Sequence, residues 1–227
     1  MRLEMKKFKL VSYTKGVVIA NIVIAAMFVA ILFISKAEGE TAFGDYLESM
    51  SVIDSMVRAT FIIFASALIA KLIIGEFKNK TITTLFLYPI NRKKLIAAKL
   101  AIVILFTFCS IIVSNLFVTA VFSFMANKFN LISDTLTMAM ITQHVPAVLM
   151  NAVAASGMCL IPLYFGMKKY SVPATIISSI LIVMIVSSNS GNFSLNDIIL
   201  IPIALALIGI SIAYFAIRNI EKADLKC

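Results

Sequence analysis

Chemically reactive side chains are few in this sequence, and their spacing matches neither a catalytic site nor a metal site. The single histidine, His144, has no cysteine or carboxylate beside it and is expected to be an interfacial or satisfied histidine. The three cysteines are unevenly spaced and form neither a disulfide framework nor a zinc motif. The sequence contains no HExxH motif and no Walker A loop. We therefore predict no enzyme activity, no metal and no cofactor in this chain.

Polar side chains inside the long apolar runs are the other candidates for chemistry. They are Asn21, Ser66, Ser110, Ser114, Asn115, Asn151, Ser178 and Ser179. An asparagine in a membrane helix most often forms a hydrogen bond to a neighbouring helix. Asn115 and Asn151 are also candidates for a substrate path. No acidic residue is expected at the centre of an apolar run, which argues against a proton-coupled secondary carrier.

The elements that hold these residues are predicted to be membrane spans. The sequence is 61% hydrophobic and 14% charged, with a mean hydropathy of +1.03, which excludes an ordinary soluble domain. Because about 20 apolar residues cross a bilayer as a helix, the runs predict an all-α membrane protein with six transmembrane helices. The whole chain, 1–227, is interpreted as a single transmembrane domain. Its predicted spans are about 17–34, 56–74, 95–125, 138–165, 172–186 and 197–217, after a basic amphipathic interfacial segment, 1–16.

The distribution of charge predicts the orientation of these spans. Most of the 20 lysines and arginines lie in alternate connections and at the two ends, whereas most of the 11 acids lie in the other connections, chiefly 35–55. By the positive-inside rule, both termini are then cytoplasmic. The same rule explains the net charge of +9 without nucleic acid as a partner. Arg58, near the outer end of the second span, is expected to pair with Asp54, one turn earlier.

The polar stretch between the second and third spans, residues 75–94, is predicted to contain a short cytoplasmic helix; we call it the coupling segment. Ile82, Leu85 and Phe86 are spaced i, i+3, i+4 and share one helical face. Asn79 is suited to begin this helix, and Pro89 ends it. A two-turn amphipathic helix at the membrane surface could dock on a soluble partner, although an ordinary basic loop would have the same composition.

The order of residues in and just after this segment resembles that of ABC-2 type transporter permeases. An acid, a Lys-Thr step, a leucine, a proline and two basic residues carry the resemblance, at Glu76, Lys80, Thr81, Leu85, Pro89, Arg92 and Lys99. Lys80 stands where the family usually has glycine. The resemblance implies that the short helix is a coupling helix, which docks on a separate ATP-binding subunit. The implied docking residues are Glu76, Lys80, Thr81, Ile82, Leu85, Phe86, Pro89 and Arg92.

The resemblance also implies a function. A member of this family would be the multi-pass permease subunit of a bacterial exporter in the cell membrane, driven by ATP and Mg²⁺ on the partner. It would pair with a second permease chain, identical or different, and move a peptide, drug or lipid-like substrate, as in antimicrobial-peptide export. The polar connection 187–196 is too short for the re-entrant helices of polysaccharide or sterol members. A non-transporting membrane protein for immunity or peptide binding stays open as the alternative.

Overall fold

Apolar helices account for most of the described residues. The computed structural model describes residues 10–38, 46–78, 92–129, 138–187, 189–190, 193–194 and 200–223. In chain order the helices are α1 (Leu10–Glu38), α2 (Tyr46–Ile69), a π-helical turn (Ala70–Ile74), α3 (Gly75–Lys78), α4 (Arg92–Phe129), α5 (Met138–Met158), α6 (Ile161–Lys169), α7 (Val172–Val186) and α8 (Leu200–Ala223). Two short strands, β1 (Asn189–Ser190) and β2 (Phe193–Ser194), pair antiparallel between α7 and α8. Apart from this two-residue ladder, the described elements are helical, in agreement with the predicted class.

Several of these helices have the length and composition of membrane spans. Among the described residues, four segments qualify by both criteria: Tyr13–Ser35, Tyr46–Lys78, Lys93–Phe129 and His144–Lys168. Two more, Val172–Val186 and Pro202–Arg218, are apolar but shorter. Large apolar side chains on these helices are exposed, as Ile19 and Leu116 illustrate at 62% and 66%. Such surfaces are unfavourable in water and suit lipid.

Helix α2 begins at Tyr46, about ten residues before the predicted second span. The prediction of a loop over 35–55 is therefore wrong from Tyr46 onward. Tyr46, Met50, Ile53 and Val57 explain the difference, because all four are buried and their spacing places them on one helical face. Burial of this apolar face outweighs the preference of the acidic residues between them for water, on which the prediction of a loop depends.

The predicted fourth span, 138–165, consists of two helices. α5 ends at Met158, and α6 begins at Ile161, with Pro162 in its first turn, where the missing N–H leaves no hydrogen bond unmade. By contrast, Pro146 lies inside α5 without dividing it. Of the two prolines expected to break this span, only Pro162 accompanies a break.

The described residues group into two compact units. The first unit contains the described residues within Phe61–Phe108 and Val153–Cys227, and the second those within Lys9–Thr60 and Cys109–Ala152. In the first unit, α6 packs against α7, α8 and the π-helical turn. In the second, the rings of Phe28 and Tyr46 each meet Phe122 edge to face, at centroid distances of 6.3 and 6.4 Å. The Tyr46 hydroxyl also donates a hydrogen bond to Asn127 Oδ1 at 3.0 Å.

Two glycines permit the close approach of α5 and α8 in the first unit. A Cβ on Gly157 would lie 2.7 Å from the Cβ of Ala206, and one on Gly209 would overlap the carbonyl oxygen of Gly157. Small residues let membrane helices come this close, with backbone against backbone.

We expect Gly209→Ala to lower the thermal unfolding midpoint of the purified chain, because the added methyl group forces α5 and α8 apart. Overpacking of this kind costs about 1–3 kcal/mol. Circular dichroism melting in detergent would measure it. Gly75→Ala is the matched control, since a Cβ there meets only the Ala70 carbonyl oxygen, at 3.5 Å, and alanine favours helix. Equal midpoints for the two variants would contradict this account of the crossing.

Candidate functional site

A buried ion pair joins the start of the coupling segment to the helix that follows it. Glu76 in α3 and Lys99 in α4 are joined through Glu76 Oε2 and Lys99 Nζ. The Lys99 side chain is 2% exposed and that of Glu76 is 13% exposed. In the sequence, residues 76 and 99 stand on either side of 79–91, so this ion pair joins α3 and α4, the described helices before and after that stretch.

The π-helical turn supplies Lys99 with a second hydrogen-bond acceptor. The backbone N–H of Gly75 reaches back five residues to the Ala70 carbonyl, which widens the turn beyond an α-helical one. Within this turn, the Leu72 carbonyl accepts a hydrogen bond from Lys99 Nζ at 3.3 Å. A buried ammonium group is stable only where such acceptors and a counter-charge replace its lost hydration. The π-helical turn is therefore part of the ion-pair site.

Helix α3 is also held by the turn after α6. The ring of Phe77 lies 5.9 Å from that of Tyr170, centroid to centroid. Tyr170 ends α6 in the left-handed region, at φ 45°, and its N–H donates to the Gly166 carbonyl. The aromatic contact with Tyr170 and the ion pair with Lys99 together hold α3 in place.

Only some of the predicted docking residues lie in the part of the chain that the structure describes. Glu76 is described, and its partner is Lys99 of the same chain, another residue of the family pattern. Arg92 begins α4, but its side chain lies outside the described part. The others also lie outside it: Lys80, Thr81, Ile82, Leu85, Phe86 and Pro89. The coupling helix itself therefore stays a prediction.

A second candidate site lies in the second unit, where three helices contribute one polar side chain each. Asp54 Oδ1 accepts a hydrogen bond from Asn115 Nδ2 at 3.1 Å, and Asp54 Oδ2 accepts one from Asn151 Nδ2 at 2.8 Å. Asp54 and Asn115 are buried, each with 4% of its surface exposed. We call these three residues the Asp54 cluster. The two asparagines join helices through Asp54, as their residue type predicts, whereas a role in a substrate path stays a prediction.

Asp54 lies about two turns inside α2. The prediction that it belongs to an outer loop is wrong, and so is the expectation that the acids of this region stay in loops. Arg58, one turn further on, is also buried; its Nη2 donates to Ser55 Oγ at 3.2 Å, and its charge interacts with that of Asp54. Buried charges in membrane helices are found paired in this way, and they mark sites of function more often than of packing.

A cavity of about 420 Å³ adjoins this cluster within the second unit. Its walls come from α2, α4 and α5 and are mostly apolar. The polar residues that line it are Asn115, Thr119, Ser123 and His144. An apolar cavity of this size with a few polar groups is typical of small-molecule sites. We call it the Asn115 cavity.

His144 is the residue of this cavity that most suggests metal binding by its chemistry. Among the described residues, however, no group of three or more histidine, cysteine, aspartate or glutamate side chains is placed to hold a metal ion. The described surroundings of His144 are chiefly apolar side chains of α4 and α5.

The profile of a family described as ABC-2 family transporter proteins matches residues 1–186. The chain belongs to this family. The ABC-2 chain is also 42% identical to the uncharacterized protein YcbO of Bacillus subtilis (strain 168) over 224 residues, which cover 99% of this chain and 98% of the relative. No solved structure matches it significantly.

Membership of the ABC-2 family gives a functional context for the two candidate sites, the Glu76–Lys99 ion pair and the Asp54 cluster. ABC-2 proteins are membrane components of transporters and normally work with an ATP-binding subunit. The absence of a Walker A loop from this ABC-2 sequence agrees with that division of labour. The Glu76–Lys99 ion pair contains two residues of the pattern on which the family resemblance rests. The Asp54 cluster does not belong to that pattern, and only the buried face of α2 could have revealed it.

Proposed function

We propose that this ABC-2 protein is the permease subunit of an ATP-binding cassette exporter in a bacterial plasma membrane. Six helical segments cross the membrane: α1, α2 with α3, α4, α5 with α6, α7 and α8. Both termini and the coupling segment are cytoplasmic. A second permease chain, identical or different, completes the path for a peptide, drug or lipid-like substrate.

The buried Glu76–Lys99 ion pair is the observation that carries this proposal. Residues 79–91 connect α3 to α4 in the sequence, and the ion pair ties these two helices together. Separating a buried ion pair is costly, so α3 and α4 respond together to a force on the segment. A partner that binds ATP and Mg²⁺ and presses on residues 79–91 would therefore move both helices at once.

Docking is expected to depend on the predicted apolar face of the coupling helix. Leu85→Asp places a charge on that face and should remove an ATPase that otherwise purifies with the tagged chain in stoichiometric amount. The chain would be isolated in mild detergent from its own host, and the partner identified by its Walker motifs. Thr84→Asp is the matched control, because residue 84 falls opposite Ile82 and Leu85 on a helix and should keep the partner.

Two results would contradict the permease function. One is a purified chain that carries no nucleotide-binding partner in a host that expresses both. The other is equal retention of the ATPase by Leu85→Asp and Thr84→Asp. In the first case the protein would act without ATP, as a membrane protein for immunity or peptide binding would. Circular dichroism of each variant would establish that its helices are intact.

A further inference from the structure

A groove of about 430 Å³ lies in the first unit, between the end of α2 and the start of α7. Its lining residues come from α2, the π-helical turn, α3 and α7: Ala67, Ala70, Lys71, Gly75, Glu76, Val172 and Ile176. We call it the Lys71 groove. Of these residues only Glu76 belongs to the ion pair with Lys99, so the groove is a further feature of this region.

The small size of several lining residues explains why space remains between these helices. Ser66 in α2 and Ser179 in α7 are joined by a buried hydrogen bond of 2.8 Å between their hydroxyl groups. Directly after this contact, Ala67 and Ala70 add little volume to the wall that α2 presents, and Gly75 has no side chain. The groove therefore begins beside a fixed contact between α2 and α7 and is lined by small residues.

The groove has an apolar end and a charged end. Ala67 comes first along the chain, and Lys71, Gly75 and Glu76 follow toward the end of the apolar segment Tyr46–Lys78. Residues 67 and 75 are separated by roughly 12 Å of helix. This is less than half of the hydrocarbon core of a bilayer, which is about 30 Å thick. The groove therefore fits within one leaflet, with its charged residues toward the membrane surface.

The charge at that end is positive. The side chain of Lys71 is exposed, and Glu76 is paired with Lys99, so two lysines stand against one glutamate. On the opposite wall α7 begins at Val172, and the N-terminal end of a helix carries a partial positive charge. The apolar stem of a lysine lies along an apolar wall while its ammonium group extends to the lipid headgroups. The charged end therefore favours an anion.

We propose that the Lys71 groove binds an anionic phospholipid, with its headgroup at Lys71 and an acyl chain along Ala67 and Ile176. Basic pockets between membrane helices are suited to anionic headgroups. A free anion would leave the apolar end empty, and a zwitterionic lipid would gain less from the excess positive charge. The assignment of this lipid to the inner leaflet rests on the proposed function, which places the coupling segment in the cytoplasm.

The test compares two photoreactive lipids on the purified full-length chain in nanodiscs of phosphatidylcholine, without ATP or partner. One probe is phosphatidylglycerol with a diazirine in an acyl chain, and the other is phosphatidylcholine with the same chain. After irradiation, mass spectrometry locates the labelled peptides. Phosphatidylglycerol should label residues 67–76 and 172–176 saturably and about fivefold more strongly than phosphatidylcholine, the effect of one lysine near the membrane surface.

Four variants test the residues. Lys71→Gln should reduce labelling by phosphatidylglycerol to the level of phosphatidylcholine, whereas Lys71→Arg should keep the preference. Lys78→Gln is the matched control, because Lys78 is also exposed and lies in α3 but does not line the groove, and it should keep the preference. Ala67→Phe fills the apolar end and should reduce labelling of the groove by both lipids. Circular dichroism would confirm that each variant is folded.

Several outcomes would overturn the proposal. These are equal labelling by the two lipids, labelling spread over all exposed apolar faces, equal loss in Lys71→Gln and Lys78→Gln, and an unlabelled groove, as when a second copy of the chain covers it. Competition by soluble glycerol phosphate as strong as by unlabelled phosphatidylglycerol would also overturn it, because the headgroup alone would then bind.

Failure of the lipid site is distinguishable from failure of the export function. Labelling needs no ATPase, so Leu85→Asp should label like the unmodified chain even though it loses its partner. A chain that shows the preference for phosphatidylglycerol but purifies without a nucleotide-binding partner would contradict the permease function and leave the lipid site in place.

Discussion

Glu76→Gln should destabilise the purified chain by about 3–5 kcal/mol, because it removes the carboxylate that is paired with the buried Lys99 ammonium group. The Leu72 carbonyl would still accept a hydrogen bond from Lys99 Nζ, but it cannot neutralise the charge. The change removes one negative charge and almost no volume, so packing is preserved. Thermal and denaturant unfolding, followed by circular dichroism in detergent, would measure the loss.

A double-mutant cycle separates the ion pair from other effects of this substitution. Glu76→Gln combined with Lys99→Met removes both charges and should be more stable than Glu76→Gln alone. Lys71→Met is the matched control, because Lys71 lies in the same π-helical turn but its side chain is exposed. If the effects of the two ion-pair substitutions simply add, Glu76 and Lys99 do not stabilise each other.

Asp54→Leu is expected to have a second large effect, on the folding of the second unit. It removes the acceptor of both Asn115 and Asn151 and a negative charge that interacts with Arg58. Removing one partner of a buried charge costs about 3–5 kcal/mol, and each amide that loses its acceptor adds about 1–3 kcal/mol. We expect little folded, monodisperse protein by size-exclusion chromatography.

The control for Asp54→Leu is Glu48→Gln, which alters an exposed acid of the same helix and should give a normal yield. Asp54→Asn should fall between them, since it keeps one carbonyl acceptor but loses the charge that faces Arg58. A normal yield of folded Asp54→Leu would show that the cluster does not stabilise the second unit.

The sequence predicted the helical membrane class and the family, because both depend on properties that persist along the chain: apolar length, charge bias and the order of residues around Glu76. It also contained both members of the ion pair. Their contact could not be predicted, since 22 residues with an unknown path separate position 76 from position 99. Only the three-dimensional return of α4 beside α3 brings the two charges together.

The Asp54 cluster was missed for a different reason. Asp54 follows other acidic residues, and the density of charge favoured a loop over a helix. The buried spacing of Tyr46, Met50, Ile53 and Val57 carries the opposite signal and would have placed Asp54 in a helix. The sequence predicts that Asn115 and Asn151 form hydrogen bonds between helices, but the residue type alone does not identify the hydrogen-bond partner. The π-helical turn has no sequence signal, since AKLII would also form a regular helix.

The π-helical turn, Ala70–Ile74, also affects how the sequences of relatives are aligned with this one. A π-helical turn takes up one residue more than the α-helical turn it replaces. A relative with one residue fewer between Ile69 and Gly75 would close a regular helix there, and the faces on either side would keep their directions. Its alignment gap would then fall inside an unbroken span, where gaps are usually treated as errors. Such a relative would lack the π-helical turn whose Leu72 carbonyl accepts a hydrogen bond from Lys99 in this protein.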